Sequence, residues 1–438
     1  MFAGVIGVVA IAVVVLVAVV VFDGEESDRR QEDLQSFYDT PNPLPDVPPG
    51  AVLRIEALTE GVELTNATAW RILYRTEDST GAPRVSGGRL FIPSTPAPPQ
   101  GRPVVSWAHP TTGMGDACAP SRTPKPTDLL DWLPAMLDRG WVVVATDYAG
   151  LGTEGVESYL VAESEVRDVV NAVRAARNVP EADASDTYGV FGHSQGGHAA
   201  LWAGTLAPSY APELTIVGVA GAAPAAPLAG LVEELWDSDL GWLIGAEVVV
   251  SYPANYPELD PADVLTEDGL RAYADLAEKC LDTGGAESEI RQRFQGDFFA
   301  TNPLDNAEWS RVLRAQSAPP VPSDIPVLVT QSVNDGVIAS KVIARMTDEW
   351  CAAGSAIETV WLGPLRGSIS KPTVLTHIYE GAIGGAVATT WLEERFAGEP
   401  APTSCGQTAP IVASSDGADA ANGANASTTS IAPTTTGG

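Results

Sequence analysis

The pentapeptide Gly192-His193-Ser194-Gln195-Gly196 constrains the fold more than any other stretch of this chain. It fits G-x-S-x-G, a turn that presents a serine between a β-strand and an α-helix. The flanking residues supply both, since Tyr188 to Phe191 reads as a strand and His198 to Ala207 as a helix. A serine in such a turn sits on strained backbone where side chains two residues away would clash, which accounts for glycine at 192 and 196. With 42 glycines the chain meets the bare pattern easily, so the strand and helix around it carry the inference.

The surrounding texture agrees. Trp70 to Thr76 and Arg84 to Ile92 read as two antiparallel strands joined by the turn Asp78-Ser79-Thr80-Gly81. Short apolar strands then alternate with helical stretches: Val104 to Ala108, Leu129 to Leu137, Trp141 to Thr146, the amphipathic Ser164 to Asn178, the serine turn, and Thr215 to Ala220. Between Ala223 and Pro322 only helical patches remain, at Leu231 to Leu235, Glu267 to Leu281 and Glu287 to Phe294. Alternation resumes with Ile325 to Thr330, a helix over Ile338 to Cys351, the strand Ile357 to Leu362 and a last helix from about Glu380 to Phe396. The expectation is an α/β-hydrolase fold, a mostly parallel sheet flanked by helices, with core segments at 51–222 and 323–405 and a mainly helical cap at 223–322.

A serine hydroxyl needs a general base, and the chain has four histidines. His193 adjoins the serine and does not reach around the turn; His198 lies one helical turn beyond it; His109 ends an early strand beside the expected oxyanion region. His377, in the loop Lys371 to Ile378, comes last in the chain order serine, acid, histidine that this fold uses. Asp335, in the loop after Ile325 to Thr330, is the candidate acid, and its rival Asp348 falls inside the next helix. The oxyanion donors expected are the backbone N–H of Gln195 and a group on Thr111 or Thr112; Pro110 has no N–H to give. Neither a metal nor an organic cofactor is needed for this chemistry.

The chain ends bear on location. Phe2 to Phe22 carries no charge, and about 21 residues at 1.5 Å rise cover roughly 31 Å, close to a bilayer's hydrocarbon thickness. No basic n-region or A-x-A-like cleavage site precedes Asp23, so residues 1–24 are expected to form an export signal or an uncleaved membrane anchor. Residues 25–50, rich in proline and acid, are expected to be a linker, and 406–438, dominated by Ala, Ser, Thr and Gly, a disordered tail. The formal net charge of -31 disfavours nucleic acid and anionic lipid as partners and leaves neutral substrates unpenalised. Cys118, Cys280, Cys351 and Cys405 contain no C-x-x-C pair; two disulfides in an oxidising compartment are expected, with three pairings open.

Four motifs in order, Ser106-Trp107-Ala108-His109-Pro110-Thr111-Thr112-Gly113, Cys118-Ala119-Pro120-Ser121, Ala145-Thr146-Asp147-Tyr148-Ala149-Gly150-Leu151-Gly152 and the GHSQGG run, resemble the secretory lipase family of fungal lipase A and its actinobacterial relatives. The resemblance covers roughly Val52 to Cys405, with proline at 110 where relatives usually have glycine. It implies hydrolysis of triacylglycerols and other neutral carboxylic esters outside the cell, through an acyl-enzyme on Ser194 with His377 and Asp335. It also implies disulfides Cys118 to Cys280 and Cys351 to Cys405. Leu231, Leu235, Trp236, Leu240, Trp242, Leu243 and Ile244 either line an acyl pocket or lid, or pack the cap's own core. A short-chain carboxylesterase or an acyltransferase would use the same triad, and a surface binding module on a catalytically silent hydrolase fold is the reading from another class.

Overall fold

The computed structural model describes residues 27–127, 130–363 and 373–410. The described residues form a nine-stranded sheet in the order β1-β2-β3-β5-β4-β6-β7-β8-β9. The strands are β1 Val52–Ala57, β2 Ala67–Glu77, β3 Pro83–Pro93, β4 Arg102–Ala108, β5 Val142–Thr146, β6 Ala184–His193, β7 Thr215–Ala222, β8 Val327–Ser332 and β9 Ile357–Leu362. The first three and β5 pair antiparallel; from β5 through β4 to β9 every pairing is parallel. The β2–β3 turn is closed by Asp78, whose Oδ1 accepts the N–H groups of Thr80 and Ala82 at 2.9 and 3.0 Å. The α/β-hydrolase expectation is thus met, and the sequence reading missed only β1, too short and too exposed to show a periodicity.

The helices are α1 at residues 27–38, α2 Leu133–Asp138, α3 Ala162–Arg177, α4 Gln195–Tyr210, α5 Leu228–Leu235, α6 Ala246–Asn255, α7 Glu267–Ala277, α8 Leu281–Gln295, α9 Ala307–Ala315, α10 Ser340–Ala353 and α11 Val374–Phe396. Alternate strand residues feed two cores. Val104, Val142, Val190 and Val219 face one with α3, α4 and α10, whereas Val105, Val143, Phe191 and Leu328 face the other with α2 and α11. Helices α5 to α9 all fall between β7 and β8.

Two expectations need correction. Residues 27–50 do not behave as a spacer: α1 delivers Phe37 and Tyr38 into a buried cluster with Leu73 and Val85, and the Tyr38 hydroxyl bonds Ser121 Oγ at 2.5 Å. Two aromatic side chains outweigh the linker-like composition of their neighbours. The last helix starts at Val374, not near Glu380, because the Thr373 hydroxyl accepts the Thr376 N–H at 3.1 Å and caps it; His377 therefore lies in the first turn of α11 and not in a loop. Among the described residues no helix is long and apolar enough to cross a membrane. The candidate signal or anchor at 1–24 and most of the tail at 406–438 lie outside them.

The cysteines pair as Cys118–Cys280, across 162 residues, and Cys351–Cys405, across 54. Loop-closure entropy for loops of these lengths is about 4–5 kcal/mol, and measured losses are typically about 2–4 kcal/mol. Replacing both Cys118 and Cys280 by serine is expected to lower the guanidinium unfolding midpoint by a corresponding amount; an unchanged midpoint would refute the stabilising role.

Candidate active site

Strand register decides which loops meet. Ala108 pairs with Gly192, Gly192 with Gly221, and Ala222 with both His193 and Thr330, so the C-terminal ends of β4, β6, β7 and β8 lie level at one edge of the sheet. That edge is where open α/β sheets bind ligands. Ser194 stands there, between β6 and α4, at φ 54° and ψ -114°. A Cβ on Gly192 would lie 1.9 Å from the Gly196 carbonyl oxygen, and one on Gly196 1.9 Å from that of Ala108, so neither position tolerates a side chain. Backbone bonds pin the turn: the Ser194 N–H donates to Ala222 O at 2.9 Å, and Ser194 O accepts from Ala225 and His198 at 3.0 and 3.1 Å.

Asp335 follows β8. Its Oδ1 accepts the N–H groups of Val337 and Ile338 at 2.7 and 2.9 Å, and its Oδ2 lies 2.8 Å from His377 Nδ1. His377 Nε2 is 2.9 Å from Ser194 Oγ, and all three side chains are buried. The loop carrying the acid also seats the helix carrying the histidine, through Gly336 N–H to Thr373 O and Thr373 N–H to Asn334 O at 3.2 and 3.3 Å. Asp348 lies on the exposed face of α10, away from this set.

The other histidines take other places. His193 packs its ring on that of His377, centroids 4.7 Å apart, and burial holds its pKa well below the ordinary value, so an uncharged ring backs His377. His109 lies between the carbonyls of Pro110 and Asp147, at 2.6 and 3.2 Å, with burial lowering its pKa to about 4. His198 faces Glu165 Oε2 at 2.7 Å through Nδ1 and the Gln316 carbonyl at 2.9 Å through Nε2.

Gln195 opens α4, where a backbone N–H has no acceptor within the helix and points towards the serine's end of the turn. Its side chain is clamped from below: Nε2 donates to Glu157 Oε1 at 2.8 Å and Glu165 Oε1 at 3.1 Å. Thr111 Oγ1 bonds the Tyr159 hydroxyl at 2.7 Å, and the Thr112 hydroxyl is buried without a partner. Two residues from Tyr159, Glu157 is the same acid that holds Gln195, so one short segment supports both expected oxyanion strips. Sequence reading missed Glu157, Glu165 and Tyr159; no spacing rule links them to the serine turn.

A cavity of about 120 Å³ reaches Ser194 and runs under the cap, lined by Leu231, Leu235, Trp236, Leu240 and Ile244 among others. Trp242 does not line it. That indole turns inward onto Phe298 and donates from Nε1 to Gly296 O at 2.8 Å, so the packing alternative holds for this residue.

The model of the secretory lipase family matches residues 128–404. Over 403 residues the chain is 29% identical to a probable inactive lipase of Mycobacterium tuberculosis, covering 86% of each protein. It is 27% identical to Lipase 6 of Candida albicans, covering 84% of this chain and 82% of that one. Among solved structures it resembles the rice cell wall degrading esterase LipA of Xanthomonas oryzae, with a TM-score of 0.69 and 21% identity over 80% of this chain and all of that one.

Burial raises the pKa of two acids near the site. Burial pushes the Glu157 carboxyl up to about 8 and that of Asp168, under the loop at Ala149, up to about 7. The native state keeps protons that the unfolded chain releases near its ordinary carboxyl range, so this stability is full below that range and is lost as pH rises towards 7 to 8. The melting temperature is expected to fall between pH 5 and 8, and Glu157→Gln to flatten the fall; a melting temperature that rises over this interval would contradict it.

Proposed function

Because the chain belongs to the secretory lipase family, we propose that it hydrolyses neutral carboxylic esters, triacylglycerols among them, by a serine mechanism outside the cell. The observation that carries the reading is the unbroken line from Asp335 through His377 to Ser194 Oγ. In acylation His377 Nε2 takes the Ser194 proton as Oγ attacks the ester carbonyl, then hands it to the departing alcohol. Asp335 holds the Nδ1–H and so the productive tautomer. The Gln195 N–H and a donor on Thr111 or Thr112 receive the oxyanion. A water activated by the same histidine releases the acid and restores the serine.

The apolar cavity ending at Ser194 suits an acyl chain, and Val374, Leu375, Ile378 and Tyr379 expose an apolar rim beside His377 that suits a neutral lipid surface. Both features favour a lipase over an esterase of soluble esters. Export is supported by the two disulfides. A second reading, a catalytically silent binding module, draws on the relative whose name marks it as probably inactive; the complete hydrogen-bonded triad argues against it here.

The test is hydrolysis of p-nitrophenyl esters from acetate to palmitate, with fluorophosphonate labelling in parallel. Ser194→Ala is expected to abolish labelling and lower kcat by about 10³-fold or more, and Asp335→Asn by roughly 10⁴-fold. A folded wild type that neither labels nor outpaces Ser194→Ala would establish the silent module instead. Filling the cavity with Leu231→Trp is expected to slow palmitate hydrolysis at least tenfold more than acetate hydrolysis; equal slowing would move the acyl chain elsewhere.

A further inference from the structure

Glu380 lies three residues after His377 on α11, buried, and its carboxyl meets only the Ser332 backbone and the carboxyl of Asp335. A carboxylate in such a place has lost its water and gained one backbone contact and a second acid in return, too little to sustain an ionised group. Asp335, on the loop after β8, faces it; His377 lies one turn earlier on its own helix, and the His193 ring touches the neighbouring Gly381 and His377. None of them is a permanent cation, and His193 is held uncharged by burial. The Asn334 Nδ2 and Thr330 Oγ1 atoms, close to Asp335 in the chain, are buried and unpartnered. The polar ground behind the acid is therefore built but not saturated by the protein alone.

We propose that Glu380 is a positioning residue: as an uncharged acid packed behind Asp335, it leaves a single negative charge in the pocket and keeps that carboxylate, and through it His377, in line with Ser194. Two carboxylates sharing one buried pocket cannot both ionise without repelling each other. Asp335 is the one with two backbone N–H donors and the histidine, so it takes the charge and Glu380 keeps the proton. Desolvation, with the Asp335 charge adding to it, pushes Glu380 up to about 9. Loss of that proton places a second anion behind the acid, loosens the Asp335–His377 contact and slows the reaction from the alkaline side. For stability, the Glu380 contribution is complete below the ordinary carboxyl range and is lost as pH rises through about 9.

The inference rests on the proposed roles of Asp335 and His377, so it is read in two ways on the full chain. The first is the pH dependence of kcat on p-nitrophenyl butyrate from pH 6 to 10.5, each protein normalised to its own rate at pH 7. Wild type is expected to fall about tenfold per unit above an inflection near 9, and Glu380→Gln to lose that inflection. The second is the low-field proton resonance of the His377 Nδ1–H, which needs no turnover; it is expected to shift near pH 9 in wild type and not in Glu380→Gln. If the glutamine variant does not fold, Glu380→Leu takes its place. The same inflection in wild type and variant, or none in either, overturns the proposal. A wild type without esterase activity whose resonance still shifts, with the shift lost in the variant, leaves Glu380 in its place and removes the catalytic reading alone.

Discussion

At Ser194 the backbone is held in a conformation that L-residues rarely adopt, with a cost of about 1–3 kcal/mol. It persists because everything around it is arranged to leave no alternative. Gly192 and Gly196 remove the side chains that would collide with the Gly196 and Ala108 carbonyls, and the β4–β6 and β6–β7 registers hold those carbonyls where they are. The same registers bring the loops bearing His109 and Asp335 and, through Thr373, the start of the helix bearing His377 to one edge of the sheet. A slip of one residue in β6 would turn Ser194 to the opposite face.

Beneath the turn the chain uses buried acid where a simpler core would use hydrocarbon. Glu165 receives the Leu160 N–H, the Gln195 amide and the His198 ring, three elements tied by one carboxyl group. The cap joins this network from above: Ser251 donates to Tyr159 O at 2.9 Å and Tyr252 to Leu160 O at 3.4 Å. Beyond the loop after β4, Met114 N–H bonds Ala277 O and Leu281 N–H bonds Thr112 O at 2.8 and 3.0 Å, next to the Cys118–Cys280 disulfide. The segment between β7 and β8 is thus hydrogen-bonded both to the stretch at Tyr159 and Leu160 and to the loop at Thr112 and Met114.

Some of this was legible in the residue order and some was not, for physical reasons. Ser194 announces itself because strain demands glycines at fixed offsets, and the strands announce themselves through runs of valine. Asp335 and His377 follow from chain order and a short supply of histidines, and the fold gathers these two with Ser194. The start of α11 was misplaced because a single threonine cap outweighs the loop-like residues before it. Residues 27–50 looked like a spacer because composition averages over Phe37 and Tyr38, two side chains that decide the matter. Trp242 and Trp236 sit on one apolar stretch, and only packing tells which faces the cavity. Glu157, Glu165 and Glu380 are charged letters in a sequence already rich in acid, and nothing local marks them as interior.

The Cys118–Cys280 bridge sets an order of events during synthesis. Its two thiols are 162 residues apart, which at about 5–20 residues per second separates their appearance by roughly 8–30 s. By the end of that interval β5, β6, the serine turn, β7 and helices α5 to α7 have been made, whereas α8, α9, β8 and β9 have not. Cys118 therefore has no Cys280 to pair with until the chain reaches the start of α8. The bridge can therefore close only once the segment through residue 280 has been made.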